Sequence, residues 1–139
     1  MNLKTTFTPA EFEVLARTDL SQTTCVVFDI LRATSSMITA LANGAEQILP
    51  VATIEEALAA KAEHPDALLC GERDGLRITA AQTGGTEFDL GNSPREYTAE
   101  IVAGKTLITT TTNGTRALRA CAKAQQTFVA SFLNLTATT

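Results

Sequence analysis

From Cys25 to Ser36 the chain reads Cys-Val-Val-Phe-Asp-Ile-Leu-Arg-Ala-Thr-Ser-Ser, and the parsing of that run organises everything around it. Val26-Val27-Phe28 is β-branched and aromatic, which predicts a strand buried on both faces. Asp29 stands where the apolar run should end, Arg32 follows three residues on, and Thr34, Ser35 and Ser36 offer helix N-cap hydroxyls. Met37, Ala40 and Leu41 then recur at helical spacing, and Asn43-Gly44 suits a C-cap. The run is therefore strand, polar corner, helix, and open parallel sheets place their ligands at such corners. A carboxylate and a guanidinium there could hold a metal and an anion. The same residues would equally serve as a helix cap (Asp29) and a surface ion pair (Arg32), so this stretch alone leaves both readings open.

Composition narrows the class. The 139 residues suffice for one domain with a real core, and 45% hydrophobic with 19% charged residues is ordinary for a globular protein. Trp is absent and aromatics reach only 5%, so the core has to be built from aliphatic residues. A net charge of −4 without a Lys/Arg stripe argues against nucleic acid as a partner, yet permits a small anion bound by local arginines. Cys25, Cys70 and Cys121 form no C-x-x-C pair and lie in or beside apolar runs, which predicts buried reduced thiols and a cytosolic (cytoplasmic) chain. Met1–Thr5 has no apolar signal region, and no run approaches the length of a membrane span.

Along the chain, Leu3–Phe7 reads as a short strand and Thr8-Pro9 as the start of a helix over Ala10–Arg17. Gln47–Val51 is a second strand candidate after the opening unit, and Thr53-Ile54-Glu55-Glu56 is a capping box that starts a helix to about Ala62. His64-Pro65-Asp66 breaks that helix, which makes the only histidine a solvated residue rather than a catalytic one. Ala67–Cys70 is a further strand, with Gly71-Glu72-Arg73 directly after it. Gly71–Pro94 lacks sustained periodicity and reads as a long functional loop. Pro94 launches a helix to about Val102, Thr106–Thr111 is a Thr-rich strand, and Gln126–Ser131 is the last one. At Thr112-Asn113-Gly114-Thr115 the Asn-Gly pair signals a hairpin, but the helical spacing of Ala117, Leu118 and Cys121 favours a strand-to-helix corner able to take a phosphate. Strands alternating with helices indicate a mostly parallel α/β sandwich.

In a parallel sheet, the corners at Asp29/Arg32/Thr34, Glu72/Arg73, Thr112–Thr115 and Asn134 share one edge, and the Asp89–Ser93 loop can fold over them. Asp29, Glu72 and Asp89 are oxygen-only ligands, a set suited to Mg²⁺ rather than Zn²⁺. The Gly-x-Gly-x-x-Gly and P-loop patterns are missing, Asp29 lacks a second Asp two residues on, and Cys70 has Leu76 where a cysteine phosphatase would place its arginine. Metal-assisted attack by water, with arginines holding the anion, is what remains.

Val27-Phe28-Asp29-Ile30-Leu31-Arg32-Ala33-Thr34, Gly71-Glu72-Arg73, Phe88-Asp89-Leu90-Gly91-Asn92-Ser93-Pro94, Thr111-Thr112-Asn113-Gly114-Thr115 and Ser131-Phe132-Leu133-Asn134 occur in that order. Together these blocks resemble the 2-phosphosulfolactate phosphatase family, whose archaeal members serve coenzyme M biosynthesis. The resemblance implies a three-layer α/β/α sandwich with a mostly parallel sheet, Mg²⁺ dependence, and hydrolysis of 2-phospho-3-sulfolactate to 3-sulfolactate and phosphate. Asp29, Glu72 and Asp89 are then expected to bind metal and activate water, and Arg32 and Arg73 to hold the anionic groups. Thr34, Asn92, Ser93, Thr112, Asn113, Gly114, Thr115 and Asn134 are expected to help bind substrate. Family members continue well beyond the segment matching Asn134, so residues 1–139 read as one domain, the N-terminal portion of a longer enzyme. The competing expectation is a non-catalytic anion-binding module that lacks the later part of the active site. The expected partner is a small anionic phosphoester, with no nucleic acid or membrane and with room for a homo-oligomer.

Overall fold

The computed structural model describes residues 2–138 and alternates strands with helices along most of its length. In chain order these are α1 (Pro9–Ala16), β1 (Thr24–Phe28), α2 (Ala33–Ala42), β2 (Gln47–Pro50), α3 (Ile54–Glu63) and β3 (Leu68–Arg73). They are followed by β4 (Leu76–Arg77), α4 (Ala80–Thr83), α5 (Ala99–Val102), β5 (Thr106–Thr110), α6 (Gly114–Ala120), β6 (Gln126–Ala130) and α7 (Leu135–Thr138). The class is α/β, as the sequence predicts. The strands do not form one continuous sheet, however: β1 and β6 pair with each other, while the other four run in the order β2-β5-β3-β4. Every pairing is parallel except the short β3–β4 hairpin.

Side-chain alternation in the four-stranded sheet builds the layers. Leu49, Leu69 and Ile108 pack toward α3 with Ala57, Ile78 and Phe88. Ile48, Leu68, Cys70 and Leu107 face the opposite way, against Ala40 of α2, Tyr97 and Val102 of α5. Both faces of this sheet are therefore covered by helices, giving three layers there. The β1–β6 pair is different. Val27 is buried, but Val26, Phe28 and Phe128 on the other face are 41%, 62% and 47% exposed. The strand expected to be buried on both faces is thus buried on one, because among the described residues no layer covers its outer side.

Capping chemistry accounts for several element starts. The Thr8 hydroxyl accepts from the Glu11 backbone N–H, and the Glu11 carboxylate accepts from the Thr8 N–H at 2.8 Å, the reciprocal pattern that starts α1. At α3 only half of the expected box forms. Thr53 accepts from the Glu56 N–H, but Glu56 takes the N–H of Ala52 instead of closing onto Thr53. Leu3–Phe7 forms no strand among the described residues. The helix predicted from Pro94 to Val102 is interrupted: a 3₁₀ turn over Pro94–Glu96 ends at Tyr97, and α5 begins afresh at Ala99.

The stretch predicted as a long structureless loop, Gly71–Pro94, is largely ordered. Glu72 pairs with Arg77 and Arg73 with Leu76 across a two-residue turn, where Asp74 and Gly75 both have positive φ (54° and 78°). Asp-Gly with two left-handed residues is the preferred hairpin connection, a signal the periodicity reading passed over. Farther on, Leu90 bridges to Cys70 in parallel, and the Gly71 N–H donates to the Leu90 carbonyl. The segment Phe88–Leu90 therefore runs beside β3 instead of folding over the corners. All three cysteines are free, with Cys70 and Cys121 buried and Cys25 partly exposed. Burial pushes the Cys70 thiol up to about 12, so it stays protonated at neutral pH. No helix among the described residues is long and apolar enough to cross a membrane.

Candidate functional site

The strand ends do gather. Arg32, at the start of α2, donates from Nη2 to the carbonyl of Gly75 at 2.9 Å, joining the β1–α2 corner to the β3–β4 turn. Glu72 joins the same turn to the β5–α6 corner, accepting at Oε2 from the Gly75 N–H (2.8 Å) and at Oε1 from the Thr112 N–H (2.7 Å). Thr34 closes the β1–β6 side, with its hydroxyl accepting from the Asp29 N–H and donating to the carbonyl of Ala130. Ser36 donates to the carbonyl of Asn92 and ties α2 to the segment after Leu90.

Close approach demands glycine at two points. A Cβ on Gly114 would lie 2.5 Å from Cβ of Ala33 and 2.9 Å from Oδ2 of Asp29, so the starts of α2 and α6 meet only because residue 114 has no side chain. A Cβ on Gly71 would collide with the Thr110 carbonyl oxygen, which fixes glycine where β3 passes β5. The expected strand-to-helix corner at Thr112–Thr115 is confirmed, because α6 begins at Gly114 and no hairpin forms.

Neither Arg32 nor Arg73 forms an ion pair with a carboxylate among the described residues. The one ion pair among the described residues is Arg77–Glu87, 3.4 Å apart and half-exposed. Arg32 bonds a backbone carbonyl, while Arg73 donates from Nη1 to the Glu72 carbonyl (2.7 Å) and from Nη2 to the Thr110 hydroxyl (3.0 Å). The surface-pair reading of Arg32 is thereby removed. So is the helix-cap reading of Asp29: α2 has Arg32 at its N-cap position, with no side-chain cap, and among the described residues the Asp29 carboxylate accepts no hydrogen bond. Thr34, Ser35 and Ser36, expected as caps, lie inside α2.

The three carboxylates do not form one cluster. Among the described residues, no group of three or more His, Cys, Asp or Glu side chains could hold a metal ion. Asp89 is exposed and accepts from the Leu69 N–H at 2.8 Å, at the beginning of β3 and away from the corner that Glu72 occupies at its end. Both oxygens of Glu72 are taken by backbone N–H groups. Asp29 is the carboxylate left free beside the Gly114 turn. The expected three-carboxylate Mg²⁺ set is therefore not assembled as such. Glu72 itself is only 7% exposed. Burial would raise its pKa, but the hydrogen bonds from Thr112 and Gly75 and the Arg73 charge outweigh this and hold it below its usual value.

Several expected binding hydroxyls and amides are committed to the scaffold. Thr115 is fully buried and exchanges hydrogen bonds with Thr111, accepting from its N–H at 3.0 Å and donating to its carbonyl at 2.9 Å. Asn134 accepts from the Ser131 N–H and donates to the Val129 carbonyl, closing the end of β6. Asn92 is buried, and the Ser93 N–H bonds Glu96. Thr112 and Asn113 are exposed at the corner, where they can meet a ligand. Gly75 and Thr111 belong to the site and were missed by sequence reasoning. The Asp74-Gly75 hairpin pair would have found the first, and the Thr111/Thr115 spacing of four residues the second.

Fold and site together define an α/β domain whose strand-end corners carry two arginines without an ion-pair partner and one carboxylate without a hydrogen bond among the described residues. Residues 10–139 match the family model described as 2-phosphosulpholactate phosphatase, and the chain belongs to that family. It is 51% identical over 112 residues to a probable 2-phosphosulfolactate phosphatase of Clostridium acetobutylicum, covering 80% of this chain and 45% of the relative. A probable 2-phosphosulfolactate phosphatase of Thermotoga petrophila is 50% identical over 114 residues, covering 82% and 46%. The corresponding protein of Caldanaerobacter subterraneus subsp. tengcongensis is 46% identical over 121 residues, covering 86% and 47%. The chain thus spans about half the length of the curated relatives it matches.

Proposed function

We propose that this domain binds the phosphate and second acidic group of a small phosphoester, and that it contributes them to a Mg²⁺-dependent hydrolysis. The substrate class is that of 2-phospho-3-sulfolactate, giving 3-sulfolactate and phosphate, a reaction of the coenzyme M biosynthesis type, carried out in the cytoplasm. The observation that carries the reading is Arg32, without a carboxylate partner among the described residues and tied through Gly75 and Glu72 to the Thr112–Gly114 turn, with Arg73 held nearby in the chain by the Glu72 carbonyl and the Thr110 hydroxyl. Guanidinium forks match phosphate and sulfonate oxygens bidentately and remain charged at any working pH. The names of the relatives agree with this chemistry.

In this reading Arg32 and Arg73 orient the ester and stabilise charge on the phosphoryl oxygens as it leaves. Asp29, whose carboxylate accepts no hydrogen bond among the described residues, is free to orient water or to hold a cation. Mg²⁺ is commonly held by one or two carboxylates plus substrate phosphate, a demand that Asp29 meets without Glu72 or Asp89. Such an ion would neutralise phosphoryl charge. The absence of a three-carboxylate cluster among the described residues favours one second reading, a domain that binds the anion and leaves turnover to other parts of a longer enzyme.

Phosphate release from phosphosulfolactate, with and without Mg²⁺ or EDTA, tests the function. Activity that survives EDTA would end the metal assignment, and phosphate binding without turnover would select the binding-module reading. Arg32→Lys keeps the charge but loses the fork, and should weaken substrate use by about 1.5–3 kcal/mol in kcat/KM. Wild-type kinetics in that variant would remove Arg32 from the site.

A further inference from the structure

We propose that Glu72 is a positioning residue of the anion site: its carboxylate is the strut that fixes the backbone of neighbouring corners, and it serves neither as metal ligand nor as base. This rests on the anion-site reading above. The geometry is a continuous chain of hydrogen bonds with Glu72 at its centre. Oε1 accepts from the Thr112 N–H at 2.7 Å, and Oε2 from the Gly75 N–H at 2.8 Å. The Gly75 carbonyl in turn accepts from Arg32 at 2.9 Å, and the Glu72 carbonyl accepts from Arg73 at 2.7 Å. Removing the carboxylate would release the β3–β4 turn and the β5–α6 corner at once, and with the turn the carbonyl that aims Arg32.

Side-chain chemistry makes this role specific to glutamate. Hydrogen bonds from N–H groups to a carboxylate are short and strong, and at 7% exposure water cannot easily replace them. Glutamine has a single acceptor oxygen, because its NH₂ only donates, so it can satisfy one of the two N–H groups and not both. Aspartate keeps the charge but is one methylene shorter, and Glu72 is anchored by its backbone pairing with Arg77. Asp at this position therefore reaches one corner and not the other. A metal-ligand role would make the opposite demand, that at least one oxygen face open space.

The 139-residue chain, labelled with ¹⁵N and titrated with inorganic phosphate, provides the test in wild type, Glu72→Gln and Glu72→Asp. Amide hydrogen exchange at Gly75 and Thr112 reads the strut directly, phosphate affinity reads the positioning, and exchange at Leu107 and Ile108 reports whether the sheet is intact. In Glu72→Gln, Gly75 or Thr112 should exchange at least about tenfold faster and phosphate affinity should fall by about tenfold, with the sheet amides unchanged. Glu72→Asp should show the same loss, which separates position from charge. Unchanged protection at both amides, unchanged phosphate affinity, or full rescue by Asp would each overturn the proposal. If wild type binds no phosphate, the proposed function fails, while the amide rates still decide whether Glu72 is a strut. Should Glu72→Gln not fold, the wild-type rates decide: exchange at Gly75 and Thr112 as fast as at exposed Asp74 refutes the strut, and slow exchange supports it.

Discussion

Two acidic residues at strand ends differ in how their carboxylates are engaged. Asp29 and Glu72 are both acidic and both at strand ends, yet Glu72 accepts two backbone N–H groups and Asp29 none on its side chain. Replacing Asp29 by Asn should therefore leave thermal stability within about 0.5 kcal/mol of wild type, since no cap or bridge is lost. A melt lowered well beyond that would restore the helix-cap reading. Glu72 predicts a pH effect of definite sign. Its pKa is depressed in the folded chain, so its contribution is complete above the unfolded value of about 4.3 and is lost as pH falls through the folded pKa. Melts from pH 7 to pH 3 should show stability falling at the acid end, and Glu72→Gln should flatten that fall. An identical acid slope in both proteins would contradict the assignment.

At the scale of elements, the site depends on how closely α2 and α6 begin. Gly114→Ala places a methyl 2.5 Å from the Ala33 Cβ, a carbon with no side-chain torsion to move it away, and against the Asp29 side chain. It should destabilise the fold by about 1–3 kcal/mol, as overpacking does, and weaken phosphate binding at the same time. Denaturant melts read the first effect and a phosphate titration the second; a silent Gly114→Ala would mean the helices can part freely. Elements with clear local signals were legible from sequence. Thr8, Thr53 and Asn43-Gly44 sit at the helix ends they announce, and Thr106–Thr110 is the Thr-rich strand expected. The β3–β4 hairpin was not read, because two residues of strand carry no periodicity. Its Asp74-Gly75 turn was the whole signal.

At the scale of the molecule, burial is uneven between the two sheets. Phe88 is 1% exposed between the four-stranded sheet and α3, whereas Phe28 is 62% exposed on the open face of the β1–β6 pair. Phe88→Ala should cost about 3–5 kcal/mol through the cavity it leaves. Phe28→Thr should change stability by about 0.5 kcal/mol or less, since little apolar surface returns to water. Urea denaturation of both variants checks the contrast, and a large cost at Phe28 would show that this face is covered in solution. The open face also explains why a run as apolar as Val26–Phe28 misled: apolar content records that a strand can be buried, and not how many faces have a neighbour.

The sequence by itself determined the order of the longer strands and helices, the α/β class and most of the corners, because caps, turns and periodicity act over a few residues. It also singled out Asp29, Arg32, Glu72 and Arg73. Which of these are free and which are spent was decided only by tertiary structure. Glu72 meets Thr112 forty positions away, Thr34 meets Ala130, and Arg32 meets Gly75. Asp89, in the same family block as Asn92, is drawn to the start of β3 by the Leu69 N–H. A side chain's chemistry is local, but its availability depends on partners that only the folded chain brings within hydrogen-bond distance.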